Sequence, residues 1–226
     1  MAARASANTR EVRVRNGQAL RDAAARRPRD GVLFDLLGKF LLSTGDRAGA
    51  AAAWREVIES VPYGFPGHYQ LGLLLNQLGQ PEAALPHLEN ARRWRPLVPE
   101  VHIALGTAWS RLGEPARATG SFQQALKLDP NNEAARLAWA QALRERGDRT
   151  GARAQLEHAV GANSNSVSAH FYLALLSQEL GDQDTASRHW RDVLRLDPGN
   201  ETARRQLSEP AQAQPMDALV PTDPWP

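Results

Sequence analysis

Histidine is the residue type in this chain best suited to chemistry, and its copies are not scattered evenly. Of the six, His68, His102 and His170 are separated by multiples of 34 residues, as are His87 and His189; His158 stands apart. Imidazole titrates near neutrality and is the commonest protein metal ligand, so a recurring histidine invites an acid/base or metal reading. Few other residue types support one. The chain has no cysteine, which removes thiolate ligands and disulfides. No HExxH helix, phosphate-cradling glycine loop or nucleophile elbow is present. Acidic residues lie mostly beside arginines, on faces expected to be solvated. Asn200-Glu201-Thr202 fits a glycosylation sequon, but no secretory signal accompanies it.

Whether the histidines can converge depends on the elements that carry them, and these follow from one period. Gly45, Gly79, Gly113, Gly147 and Gly181 are each 34 residues apart, without insertion or deletion. Ala50, Ala84, Ala118, Ala152 and Ala186 keep the same step, as do the larger Trp54, Leu88, Phe122, Leu156 and Trp190 and the smaller Val57, Ala91, Ala125, Ala159 and Val193. Pro62, Pro96, Pro130 and Pro198 close the units, with Ser164 in the fourth. Within a unit, Leu105, Trp109 and Leu112 recur at helical spacing, and so do Ala118, Phe122 and Ala125, which predicts two amphipathic helices. Small residues let the helices approach and one bulky residue fills the space between them. A single unit cannot bury such a face alone, so the units must stack.

This pattern resembles the tetratricopeptide repeat (TPR), a 34-residue pair of antiparallel helices. The likeness is closest in the third unit, with Leu105, Gly106, Trp109, Ala118, Phe122, Ala125 and Pro130 at positions 7, 8, 11, 20, 24, 27 and 32. Gly38, Gly72 and Gly106 hold position 8, where Ala140 and Ala174 follow. The resemblance implies an all-α, right-handed superhelical α-solenoid. Its five units are 31–64, 65–98, 99–132, 133–166 and 167–200. Equivalent positions in adjacent hairpins then lie about 10 Å or more apart, whereas zinc holds nitrogen at about 2 Å. The histidines are accordingly expected to be tucked between helices, with no metal, no cofactor and no catalytic residue.

At 226 residues and 42% apolar composition, the chain has material for a continuous core. Its formal charge of +2 gives no general reason to expect nucleic acid. The start has no apolar h-region, so cytoplasm is the default compartment, and no membrane span is expected. Residues 1–30 carry eight arginines. Residues 1–16 are expected to be basic and unfolded, and 17–30 to form a degenerate half-repeat, with Leu20, Ala23 and Pro28 in phase. The joint Val61 to Gly67 holds two prolines and two glycines and is expected to bend the array, the alternative being a rim feature of a binding site. Pro81 and Pro115 suit a first helical turn, whereas Pro86 should kink its helix. The Gly161–Ser166 joint lacks proline and is expected to be the least rigid link. Residues 201–208 should cap the stack. The tail 209–226, with five prolines, reads as extended, although Met216, Leu219, Val220 and Trp225 suit a docking segment.

By the same resemblance, positions 2, 5, 9, 12 and 13 of the first helices face a concave groove. The candidate partner-binding residues are Tyr69, Leu73, Asn76, Ile103, Thr107, Arg111, Leu137, Gln141, Arg144, Phe171, Leu175 and Gln178. Leu137 could equally pack against facing helices. Asp35, Lys39, Tyr69 and Leu73 occupy the positions where TPR domains that capture a C-terminal carboxylate keep a Lys/Asn clamp, so that mode is not expected. Mixed charge argues against a nucleic-acid groove. The expected function is a non-catalytic adaptor holding an extended or amphipathic peptide in the groove. The alternatives are a regulatory or assembly subunit of an enzyme or envelope-biogenesis complex, and a self-assembling oligomer.

Overall fold

The computed structural model describes residues 15–60 and 64–208. The expectations for the basic start before residue 15, for Val61 to Tyr63 and for the tail, Trp225 included, lie outside the described residues. Among those described there are twelve helices and no strand: α1 over 15–26, then α2 (Gly31–Ser43), α3 (Arg47–Ser60), α4 (Phe65–Gln77), α5 (Pro81–Trp94), α6 (Pro99–Arg111), α7 (Pro115–Leu128), α8 (Glu133–Glu145), α9 (Arg149–Ala162), α10 (Val167–Glu179), α11 (Gln183–Leu196) and α12 (Glu201–Ser208). Paired in succession, they form an all-α TPR solenoid.

The phased glycines end the first helix of every unit. Gly181 has φ +76°, and its four counterparts lie between +70° and +84°. Around it the Asp182 amide donates to Ser177 O and the Gly181 amide to Gln178 O, a Schellman closure that needs a left-handed residue at its centre. A side chain there would be strained, so glycine sets the phase. The next helix starts on a polar cap: Asp148 and Asp182 accept from the amides three residues on, as do Asp30, Asn132 and Ser166 before first helices. Each such bond stabilises a helix by about 0.5–2 kcal/mol.

The helices fall into two compact units, Met1–Ala108 and Trp109–Pro226, divided within α6. In the first, Trp54 and Leu88 are fully buried. Trp54 lies on Gly38 and Leu88 on Gly72, where a Cβ would stand 2.6 Å from the larger side chain in each case. α1 seats Gly17 against Phe40 and buries Ala24. In the second unit, Leu137, Ala140, Ala152, Leu156, Ala159, Ala169, Leu173 and Leu176 make one core cluster across α8, α9 and α10. Ala174, Leu175, Ala186, Trp190 and Val193 make the next, closed by Ala203 of α12 with Leu207 packed alongside.

Helix α5 continues through Pro86, which sits on its exposed side. One local outcome differs from the bare sequence reading. The Gly161–Ser166 joint, expected to be the loosest, is cross-linked by side chains. Ser166 Oγ donates to Glu133 Oε1 at 2.6 Å and Asn163 Nδ2 to Glu133 Oε2 at 3.3 Å. The absence of proline was legible, but a partner 30 or more residues away was not.

Candidate functional site

Positions 5 and 9 of α4 and α6 place Tyr69, Leu73, Ile103 and Thr107 in the first unit, all of them half-buried. Tyr69 stacks on Phe65, with ring centroids 5.1 Å apart, and Arg95 lies over the Phe65 ring at 4.9 Å. Burial, with Glu100 nearby, pushes the Tyr69 hydroxyl up to about 12, so it is a neutral donor and acceptor at any ordinary pH. Thr107 donates to Ile103 O within its own helix. Asn76 is buried and donates to Ala104 O at 2.8 Å, tying α4 to α6. The clamp positions of α2 are occupied differently: Asp35 Oδ2 accepts from Lys39 at 2.6 Å, and Asp35 Oδ1 faces Trp54 Nε1 at 3.3 Å.

In the second unit, several residues expected to meet a partner are committed to the fold. Leu175 is fully buried in a core cluster, which corrects its assignment to the groove wall, and Leu137 is buried in the neighbouring cluster, the packing alternative allowed for it. Phe171 sits edge-on to Trp190, with centroids 5.0 Å apart. Arg144 pairs with Glu179 at 2.9 Å, both largely shielded from solvent. Gln178 donates to Gln206 at 2.6 Å and Gln141 to Glu145 at 3.0 Å. Arg111 is exposed. Position 12 therefore acts as a staple to the next helix pair in Asn76, Arg144 and Gln178, a role that sequence spacing alone did not reveal. Leu137, Gln141, Arg144 and Tyr172 line a cleft of about 10 Å³, room for one water at most.

His68, His102 and His170 are buried, as expected of side chains tucked between helices, but two of them meet a second histidine. Position 4 faces position 23 of the same hairpin, so His68 Nδ1 lies 3.0 Å from His87 Nδ1, and His170 Nδ1 lies 3.0 Å from His189 Nδ1. Comparing equivalent positions across repeats overlooked this contact, which is a correction to the argument against histidine clustering. The signal was present, since only the second and fifth units carry histidine at both positions. In the fourth unit the same pair is Arg136 and Gln155, 3.5 Å apart. Position 4 also anchors the helix start. His102 Nε2 lies 2.8 Å from Pro96 O and His170 Nε2 3.1 Å from Ser164 O, while Arg136 and Arg204 donate to Pro130 O and Pro198 O. A carbonyl only accepts, so these histidines carry hydrogen on Nε2. Burial and the facing histidine hold His87 and His189 below the usual imidazole range, Arg55 adding to the effect at His87.

The sequence profile of the cytochrome c-type biogenesis protein H TPR domain matches residues 89–204, just over half of the chain, and a general tetratricopeptide-repeat profile matches residues 66–90. The chain belongs to that TPR family. No curated protein matches it in sequence. Among solved structures, this TPR chain is similar to PilW, described as a widely conserved type IV pilus biogenesis factor. The TM-score is 0.74 at 14% identity, over 86% of this chain and 90% of that one. It is similar to the Cut9–Hcn1 APC/C hetero-tetramer at TM-score 0.67 and 18% identity, covering 87% of this chain but 39% of that one. It also resembles YrrB, described as a TPR protein with an unusual peptide-binding site, at TM-score 0.55 and 18% identity, over 85% of this chain and all of that one. Likeness at these identities establishes the fold. Among the described residues no helix is long and apolar enough to cross a membrane.

Proposed function

We propose that this protein is a non-catalytic scaffold that holds a segment of another polypeptide on the first-helix face of its N-terminal unit. The observation that supports this most directly is the state of Tyr69, Leu73 and Ile103. These apolar or aromatic side chains stand at consecutive-repeat positions and remain half-buried, while neighbouring Asn76 is used to hold the helices together. Aromatic and aliphatic anchors on a preformed helical surface suit an extended or amphipathic peptide. YrrB, with its peptide-binding site, offers an analogy at the level of the fold.

A narrower reading is that the scaffold serves an assembly of the cytochrome c biogenesis kind, as the family description suggests. PilW, a biogenesis factor, is a second neighbour of that type. Photo-crosslinking in cells tests both. A crosslinkable residue in place of Leu73 or Ile103 should give one defined adduct, identifiable by mass spectrometry, and Tyr69→Ala should reduce it at least about fivefold while helicity is unchanged. Adducts that form equally well from a probe at exposed Glu82 would remove the surface assignment. An adduct outside any biogenesis machinery would remove only the narrower reading.

A further inference from the structure

Three side chains of the last hairpin form a set that packing alone does not require. His170 of α10 and His189 and Asp192 of α11 each offer one ligand atom, and these atoms lie within 4.8 Å of one another. His170 Nδ1 is 3.0 Å from His189 Nδ1 and 3.7 Å from Asp192 Oδ2. Two ligands about 2.0–2.1 Å from a tetrahedral ion stand about 3.3 Å from each other. The two separations from His170 bracket that value, and the third is at most 4.8 Å.

Several features around the set suit a metal ion, set against the positive charge of Arg188 and Arg153 near His189. His170 is buried, and its Nε2–H donates to Ser164 O, leaving the Nδ1 lone pair of the neutral ring directed at His189. Metal-bound histidines commonly donate their second nitrogen to a carbonyl in this way, which fixes the tautomer. The other Asp192 oxygen, Oδ1, accepts from Arg195 at 3.4 Å, so Oδ2 is the atom presented to the rings. Asp192 retains 37% side-chain exposure, which gives an ion a route from solvent. The α4–α5 hairpin repeats the histidine pair but has Asn90 where α11 has Asp192, so a neutral amide replaces the anionic ligand.

We propose that His170 Nδ1, His189 Nδ1 and Asp192 Oδ2 bind a divalent first-row transition metal ion, with zinc and cobalt as its simplest representatives and a water in the fourth position. Two imidazoles and one carboxylate are a suitable donor set for such an ion. On binding, His189 exchanges its Nδ1–H tautomer for the Nε2–H tautomer, so both rings stay neutral and no proton need leave the protein. The ion ties α10 to α11 beside the closing helix α12.

The test uses the tag-free full chain, stripped with a chelator and titrated with Co²⁺ and with Zn²⁺. One equivalent of Co²⁺ should give the intense visible bands of a tetrahedral ion, Zn²⁺ should displace it, and either metal should raise the melting temperature. Asp192→Asn, at a half-exposed position that leaves the helix intact, should weaken affinity by at least about tenfold. His189→Gln should abolish the spectrum while far-ultraviolet dichroism is retained. Absence of a stoichiometric cobalt spectrum in the unaltered chain would overturn the proposal, as would unchanged binding in both variants.

Discussion

The hairpins α4–α5 and α10–α11 carry the same histidine pair at the same repeat positions, yet only one of them is a candidate ligand set. In both, the two Nδ1 atoms are 3.0 Å apart and the rings are tilted, with centroids 5.3 and 5.2 Å apart. The pair itself is thus a way of joining two helices, using the position 4 to position 23 contact that Arg136 and Gln155 also make. What differs is one turn further along the second helix, Asn90 against Asp192. A neutral amide leaves a hydrogen-bonded couple; a carboxylate adds a negative charge facing two nitrogens. Chemistry in a repeat protein can therefore arise from one substitution on a contact the fold already provides.

The strongest way to break the comparison is to remove the packing beneath each pair. Leu88→Ala should cost about 2–5 kcal/mol and Trp190→Ala about 3–5 kcal/mol, read by urea denaturation. Because solenoid units contact only their neighbours, the cobalt spectrum should survive the first substitution and be lost with the second. A sharper test turns one hairpin into the other. Asn90→Asp should raise the cobalt stoichiometry from one to two, and a stoichiometry that stays at one would show that the carboxylate is not what separates the hairpins.

The two hairpins are also entered differently. Ser166 caps α10 through the Ala169 amide, whereas Gly64 precedes α4 with no side-chain bond. Ser166→Ala should lower stability by about 1 kcal/mol, and Gly64→Ser should raise it by only about a few tenths, both measured as shifts in denaturation midpoint.

The smallest expected effect is on pH dependence. Burial, His68 on α4 and Arg55 on α3 hold His87 below the ordinary imidazole value, which is about 6.5 in the unfolded chain. Between those two values the unfolded state binds more protons, so stability rises with pH there. The contribution is complete above about pH 6.5 and is lost as pH falls through the folded value. Melting temperatures of the native chain should fall between pH 7 and pH 5 more than those of His87→Gln; equal slopes would show that the pair does not titrate with folding.

The helices and their phase were legible because local chemistry enforces them. A glycine at φ +70° to +84° stops each first helix whatever surrounds it, and an apolar stripe must be buried wherever it lands. The candidate surface was only partly legible. Tyr69 and Ile103 remain half-buried at the expected positions, whereas Leu175 is fully buried and Arg144, Asn76 and Gln178 are engaged within the chain. Their partners lie 28 to 35 residues away, and repeat position alone does not say whether a side chain meets solvent or the next hairpin.

By itself, then, the sequence determined a stack of TPR hairpins, since periodic glycine, alanine and aromatic residues admit few other ways to bury one face. The tertiary structure decided which side chains that stacking consumes and which it brings together. His170 and His189 are 19 residues apart in the chain and hold different positions of the repeat; only antiparallel packing of α10 on α11 puts their nitrogens within bonding distance.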